Sequence, residues 1–200
     1  MNKEIITHLS SHDPILKQIN SQVVPLTNQS TKNVFHDLVS CIIEQQIHYR
    51  STKKIFTKQL AASSLPELTP QNFHQMEFAL SQLKLSQRKF ETLALTVDFF
   101  QKNQLNWLEM DEQTVRNTLA RIKGIGKWTI DMILLFTLER PNIFPVDDYR
   151  LKKVMMKLYE LQDGKTLRNS MIRLAKNWEP YRSFGVRFLL AWHEQNKGNN

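Results

Sequence analysis

Apolar residues recur along this chain at three- and four-residue spacing, the signature of helices that bury one face. Val34, Phe35, Leu38, Val39, Ile42 and Ile43 predict one such helix, and Phe73, Met76, Leu80 and Leu83 another. Further stripes run through Phe90, Leu93, Ala94 and Val97, through Val115, Leu119 and Ile122, through Ile130, Ile133, Leu134 and Thr137, and through Leu151, Val154, Met155 and Leu158. Helix starts are marked by Thr69 before Pro70, by Asp111 ahead of Thr114 and by Thr166 after Gly164. No segment alternates in the way a strand requires. The five glycines all lie at or beyond Gly124, so the first 123 residues have few sites for the φ > 0 turns of hairpins. The expected architecture is therefore all-α, with roughly ten short helices.

The break most like a lobe boundary is Lys102–Met110, ahead of the helix that Asp111 opens. The chain is expected to form a single domain of two lobes. One holds about residues 1–30 with part of 111–200, the other about 31–110, the chain crossing to the second lobe and returning. No internal repeat or low-complexity linker interrupts it.

Composition narrows the chemistry. With 200 residues, 41% of them hydrophobic, the chain can bury a core. Its apolar runs are too short to cross a bilayer and its start has no apolar signal region, so a cytoplasmic protein is expected. A single cysteine, Cys41, excludes an internal disulfide framework, a four-cysteine iron–sulfur cluster and a cysteine-rich zinc site. His36, His74 and His193 form no pair with ligand spacing. The net charge of +8 is concentrated: residues 1–120 hold twelve basic and eleven acidic groups, and residues 121–200 hold fifteen and eight. A basic half suits a polyanion, because each lysine or arginine that neutralises a phosphate releases condensed counterions. A merely solvated basic surface accounts for the charge equally well.

Two glycines stand one residue apart in Leu119-Ala-Arg-Ile-Lys-Gly-Ile-Gly-Lys-Trp128, between two apolar stripes. Such a hairpin needs φ > 0, lets a foreign surface approach bare backbone, and turns the amides of the next helix toward an anion. Lys123 and Lys127 flank it, so a nucleic-acid phosphate fits. The plainer reading is an αα corner with a glycine cap.

This hairpin, with Phe144-Pro-Val-Asp-Asp-Tyr149, the Gln45-Gln46-Ile47-His48 run and Pro180-Tyr-Arg-Ser183, resembles the helix-hairpin-helix DNA glycosylase superfamily. Within it the chain looks like the DNA-3-methyladenine glycosylase II family, in a short form without the extra N-terminal domain of longer members. The resemblance spans about Val34 to Glu194. It implies a DNA-binding cleft between the lobes and a repair N-glycosylase that flips out and excises alkylated purines such as 3-methyladenine and 7-methylguanine. Damaged double-stranded DNA is the implied partner, and a monomer is expected. It places Gly124, Gly126, Lys123, Lys127 and Thr129 on the DNA backbone. A structural monovalent cation, Na or K, is implied at the backbone carbonyls of Ala120, Ile122 and Ile125; no cofactor is required and no catalytic metal is expected.

By motif match Asp148 falls on the family's catalytic aspartate. Its work would be to stabilise the oxocarbenium-like sugar as the base departs, and to orient or deprotonate water. Aspartates at helix starts are commonly caps, and Asp147 is expected to be the cap or a support, with Arg182 in a similar role. Bifunctional relatives carry a Schiff-base lysine after the hairpin; Trp128 stands there instead, which implies a monofunctional enzyme without lyase activity. Trp128, Tyr149 and Trp192 are the pocket candidates, Tyr181 a weaker one, through cation–π attraction to a methylated base. Trp107 and Trp178 are expected in the core. Gln46 and His48 are the candidates to fill the gap in the duplex, with Tyr49 and Arg50 nearby; structurally the run simply ends an apolar helix. Two alternatives remain: a non-catalytic helix-hairpin-helix DNA-binding module, or a glycosylase for another lesion such as hypoxanthine or uracil.

Overall fold

The computed structural model describes residues 3–24, 30–44, 49–83 and 85–196, and the side chains of 44–55 are excepted from that description. Its described residues form eleven α-helices and no strand. In chain order these are α1 (Lys3–His12), α2 (Pro14–Asn20), α3 (Val34–Glu44), α4 (Tyr49–Ala62), α5 (Glu77–Ser81) and α6 (Gln87–Lys102). Next come α7 (Glu112–Leu119), α8 (Lys127–Met132), α9 (Tyr149–Leu158), α10 (Leu167–Lys176) and α11 (Arg182–Gln195). None of them is long and apolar enough to cross a membrane.

Residues 30–138 form one compact unit, and residues 1–29 with 139–200 form the other. The division falls between Leu138 and Glu139, while Lys102–Met110 lies inside the 30–138 unit. A stacking contact explains why no boundary opens there: Trp107 packs on Phe100 of α6 at 5.4 Å between ring centroids, which folds the connection back onto its own helix. The glycine hairpin accordingly belongs with α3–α6, not with the C-terminal helices.

In the 30–138 unit α3 is the central element, packed by α4, α6 and α8. Its predicted stripe, from Val34 to Ile43, is buried. α8 runs into a π-helical turn, Ile133–Thr137, in which Leu138 N–H donates to Ile133 O at 2.9 Å. Where the chain enters and leaves this unit, Ser30 Oγ donates to Thr137 O, and Thr137 Oγ1 donates to Asp37 Oδ2 at 2.7 Å. At the other end of α3 the Lys89 ammonium donates to Ile43 O at 2.7 Å.

The expected helix behind Thr69 is shorter than its stripe. Thr69 and Asn72 cap each other reciprocally (2.7 and 3.2 Å), a 3₁₀ turn follows at Phe73–Met76, and α5 begins only at Glu77. Asp111 caps α7 as expected, accepting from Thr114 N at 2.9 Å. Thr166 precedes α10 without a capping side-chain bond.

In the other unit α11 packs on α2, α9 and α10. Its centre is a buried carboxylate. Asp13 Oδ1 caps α2 through Leu16 N at 2.9 Å, and Oδ2 accepts from Trp178 Nε1 at 2.7 Å and from Tyr159 OH at 2.8 Å. Burial, reinforced by the neighbouring Asp13 charge, pushes the Tyr159 phenol well above its ordinary range. One local and two distant donors thus satisfy one desolvated carboxylate, tying α2 to the segments around α9 and α10.

Candidate functional site

The hairpin follows from two glycines with different reasons to be glycine. Gly124 has φ +98°, and a Cβ there would lie 2.1 Å from Thr92 Oγ1 of α6. It is needed for the turn and for close packing against α6. Gly126 opens α8 with φ −96°, and an added Cβ would meet nothing within 4 Å. Its bare backbone faces open space, as the approach of another molecule requires. The turn between them is closed by Ile125 N–H donating to Ile122 O at 3.0 Å.

Of the side chains expected on a phosphate, Lys123 is exposed. Lys127 is exposed as well, but its Nζ lies 3.1 Å from Asp131 Oδ2. Thr129 is 1% exposed, so its hydroxyl is turned inward and only its backbone remains for a contact at the surface. Asp131 itself was not legible as important. It is 1% exposed and takes Arg116 Nη1 of α7 at 2.6 Å, so one carboxylate joins both helices of the hairpin and one of its lysines. Arg116 also holds Glu112 at 2.8 Å. The Lys127–Asp131 spacing is a readable i, i+4 pair; the partner on α7 is set by tertiary packing.

At the start of α9 the capping role expected of Asp147 falls to Asp148. Asp148 is the N-cap: its Oδ1 accepts from Arg150 N at 3.0 Å and Leu151 N at 2.9 Å, and the residue is 2% exposed. Its Oδ2 lies 3.6 Å from Arg150 Nη2. Asp147 lies nearer the surface, where Arg168 Nε is 3.4 Å away. The reason is backbone geometry. Asp148 has extended φ and ψ of −73° and 121° immediately before the first helical residue, so its side chain alone can fold over the free amides.

The segment leading to Asp148 is held by the Tyr181-Arg-Ser run. Arg182 donates to Asn142 O at 3.0 and 3.2 Å and to its Oδ1 at 2.8 Å. Ser183 Oγ accepts from Ile143 N at 2.8 Å and donates to Arg140 O. Arg182 is thus a clamp on the 140–143 turn, a few residues ahead of the aspartates, and not a direct neighbour of either. This gives the motif a physical purpose, since a capped carboxylate is only as well placed as the loop that delivers it.

The aromatic candidates differ in exposure. Tyr149 is 65% exposed, with Lys153 Nζ over its ring at 4.8 Å from the centroid. Trp192 is half-buried, with Lys157 Nζ over its ring at 5.6 Å. Trp128 is half-buried at the start of α8. Tyr181 meets His8 edge-on at 5.3 Å. Trp107 and Trp178 lie in the core. Gln46 and His48 fall outside the described residues, and the side chains of Tyr49 and Arg50 are likewise not described. Among the described residues no group of three His, Cys, Asp or Glu side chains could hold a metal ion.

No family model matches the chain. A Bacillus subtilis protein provisionally named a DNA-3-methyladenine glycosylase is 30% identical over 169 residues, which cover 78% of this chain and 58% of that protein. This chain therefore spans little more than half the length of that relative. DNA-3-methyladenine glycosylase 1 of Schizosaccharomyces pombe is 26% identical over 174 residues, 78% of this chain and 76% of the relative. Among solved structures, the Schizosaccharomyces pombe 3-methyladenine DNA glycosylase in complex with abasic DNA superposes with a TM-score of 0.77 at 21% identity, over 98% of this chain and 97% of that one. All-helical architecture, glycine hairpin, capped aspartate and sequence likeness agree: the fold is that of the DNA glycosylases among its structural neighbours, and the chain resembles the DNA-3-methyladenine glycosylases in sequence.

Proposed function

We propose that this protein is a DNA repair N-glycosylase that excises alkylated purines of the 3-methyladenine and 7-methylguanine type, as a monofunctional hydrolase. The observation that carries the reading is Asp148: a carboxylate with one oxygen fixed by two backbone N–H groups at the start of α9, on the motif position of the family's catalytic aspartate. In the reaction the C1′–N bond breaks and the base leaves with the bonding electrons. An N-alkylated purine is already cationic and departs neutral, so little proton donation is needed. The sugar becomes oxocarbenium-like, and a fixed, desolvated negative charge stabilises it without having to reorganise. Water then adds its hydroxyl to C1′, and the carboxylate takes the proton.

Two features support the absence of lyase chemistry. Trp128 occupies the position of the lysine nucleophile, and the adjacent Lys127 is engaged with buried Asp131. The hairpin would grip a phosphate of double-stranded DNA through its backbone, with Lys123 beside it. A monovalent cation on the carbonyls of Ala120, Ile122 and Ile125 belongs to the same proposal; Ile122 O already accepts one amide and keeps a second lone pair. We further propose a cytoplasmic monomer acting on one lesion at a time.

The test is release of methylated base from alkylated duplex DNA by wild type, Asp148→Asn and Asp147→Asn. Release by wild type and by the Asp147 variant, with loss in the Asp148 variant and retained duplex binding, supports the reading. Equal release by all three overturns the role of Asp148, and strand nicking without alkali overturns the monofunctional assignment. The burial of Asp148 favours one competing reading, a non-catalytic DNA-binding module, which gains if duplex is bound and no protein releases base.

A further inference from the structure

α6 carries Arg88, Glu91, Thr92 and Leu95 at three- and four-residue spacing, and the face they share meets the hairpin. Thr92 is the point of contact. Its hydroxyl donates back to Arg88 O at 2.9 Å, and Gly124 packs against it so closely that no Cβ fits between them. Beside that contact lies a groove of about 340 Å³, lined by these four residues and, from the hairpin, by Lys123 and Gly124. Its character is mixed. Leu95 offers an apolar surface that is 41% exposed, while Arg88 and Lys123 bring two exposed cations. Neither cation is held by a carboxylate among the described residues; Glu91, the one acid of the lining, accepts instead from Gln87 Nε2 at 3.4 Å. Groove, cations and hairpin all belong to the 30–138 unit.

We propose that this groove is a nucleotide subsite that extends the hairpin's grip on DNA: Arg88 takes the phosphate next to the one at the hairpin, and Leu95 receives the deoxyribose between them. The inference rests on the glycosylase reading for its partner, and on this groove for everything else. The lining selects the occupant. An apolar side chain of a protein partner would cover Leu95 and leave two cations desolvated without an answer. A free phosphate would answer the cations and leave the leucine wet. A DNA strand supplies both, an anion at every nucleotide and an apolar sugar face between one anion and the next. The two cations also differ in what they add. Lys123 is a flexible point charge, whereas the Arg88 guanidinium can bind one phosphate through two N–H groups at once. Continuity supplies the direction: Gly124 lines the groove, so a strand held at the hairpin backbone has this surface beside it. Glu91 opposes the same occupant, which gives the groove one charge whose loss should weaken binding and one whose loss should tighten it.

The experiment is a salt titration of affinity for unmodified duplex DNA with wild type, Arg88→Gln, Glu91→Gln, Leu95→Ala and Lys102→Gln. Lys102 ends the same helix about 21 Å from Arg88. That is beyond the roughly 10 Å reach of a charge at 0.1 M salt, so its variant reports the loss of one positive charge away from the groove. Each phosphate contact contributes about 0.9 to the slope of log affinity against log salt, so Arg88→Gln is expected to flatten it by about 0.9 and Lys102→Gln to leave it unchanged. Glu91→Gln is expected to tighten binding about fivefold at low salt, as removal of a like charge about 4 Å from a phosphate in water does. Leu95→Ala is expected to weaken binding severalfold with the wild-type slope. An unchanged slope in Arg88→Gln, equal flattening in Lys102→Gln, no gain in Glu91→Gln or wild-type affinity in Leu95→Ala overturns the subsite. A gain in affinity at Glu91 is a result that misfolding does not mimic. Base release by wild type is measured beside it. Release with an unchanged Arg88→Gln slope removes the subsite and leaves the glycosylase reading standing; a flattened slope without release removes that reading and leaves the subsite as a DNA contact.

Discussion

Asp131 of the hairpin and Asp148 at the head of α9 are almost equally buried, and each has an arginine beside it, yet they are held by different forces. Asp131 is gripped by charge, with Arg116 at 2.6 Å and Lys127 at 3.1 Å. Asp148 is gripped by backbone, two amides on Oδ1 at 2.9 and 3.0 Å, with its guanidinium neighbour at 3.6 Å. A carboxylate in short ion pairs has its charge matched from inside the fold, and its main consequence is to lock α7 to α8. A capped carboxylate is oriented by dipoles instead, and an oriented negative charge is what a developing sugar cation requires. Depth of burial alone would not have separated the two.

The contrast is broken most directly at Asp148. Asparagine caps a helix about as well as aspartate, so Asp148→Asn should melt within a few degrees of wild type. Single-turnover base release should fall by about 10²–10³-fold, the usual cost of losing one preorganised electrostatic stabiliser. A large drop in melting temperature with proportionate loss of activity would make Asp148 structural, like Asp131. Asp131→Asn should show the opposite profile. Removing one partner of a buried pair commonly costs ~3–5 kcal/mol, and because Arg116 keeps Glu112 the expected loss is ~2–4 kcal/mol in urea unfolding. Stability unchanged within error would mean that the ion pair does not hold the hairpin.

The two glycines sharpen the picture of the hairpin itself. Gly124→Ala meets both positive φ and Thr92, and should cost ~1–3 kcal/mol of stability. Gly126→Ala has open space and ordinary φ, so it should cost only the ~1 kcal/mol by which alanine is the poorer N-cap while duplex affinity falls further, since the added methyl stands where backbone would meet DNA. Undiminished affinity would place the contact elsewhere. The smallest effect is expected at Lys89, a buried cation bonded to a carbonyl rather than a carboxylate, whose pKa desolvation lowers. A lowered folded pKa means that the unfolded chain binds more protons between that value and 10.5. Stability contributed at this site should therefore rise with pH across that alkaline window and be absent from Lys89→Met. A wild-type-minus-variant difference that is flat with pH would refute it.

Much of the helical layout could be read in advance because it depends on local spacing. The α3 stripe from Val34 to Ile43 and the α9 stripe from Leu151 to Met155 bury as their periodicity demands. The stripe from Phe73 to Leu83 misled, since reciprocal capping by Thr69 and Asn72 delays the helix to Glu77. At the candidate site the reading gave the cap to Asp147, whereas Asp148 is the residue that caps α9. That choice turns on a single residue's φ and ψ, which no residue type announces when two aspartates are adjacent. Thr129 shows a related limit: which way its side chain turns is set by the helix register, which buries it.

What the chain's own order of residues determined was everything that acts over one or two turns: an all-helical fold, a Gly-x-Gly hairpin, a capped acidic pair behind a proline, and a basic C-terminal half. Tertiary structure decided the rest. It placed the hairpin with α3–α6 rather than with the C-terminal helices and brought Arg116 onto Asp131. It also set Arg182 on the turn ahead of Asp148, and let Asp13 gather Trp178 and Tyr159 from the far end of the chain. Local periodicity reports which face of a helix is apolar. Which partner meets that face, and which buried charge finds a matching group, is settled only when distant segments compete for the same desolvated space.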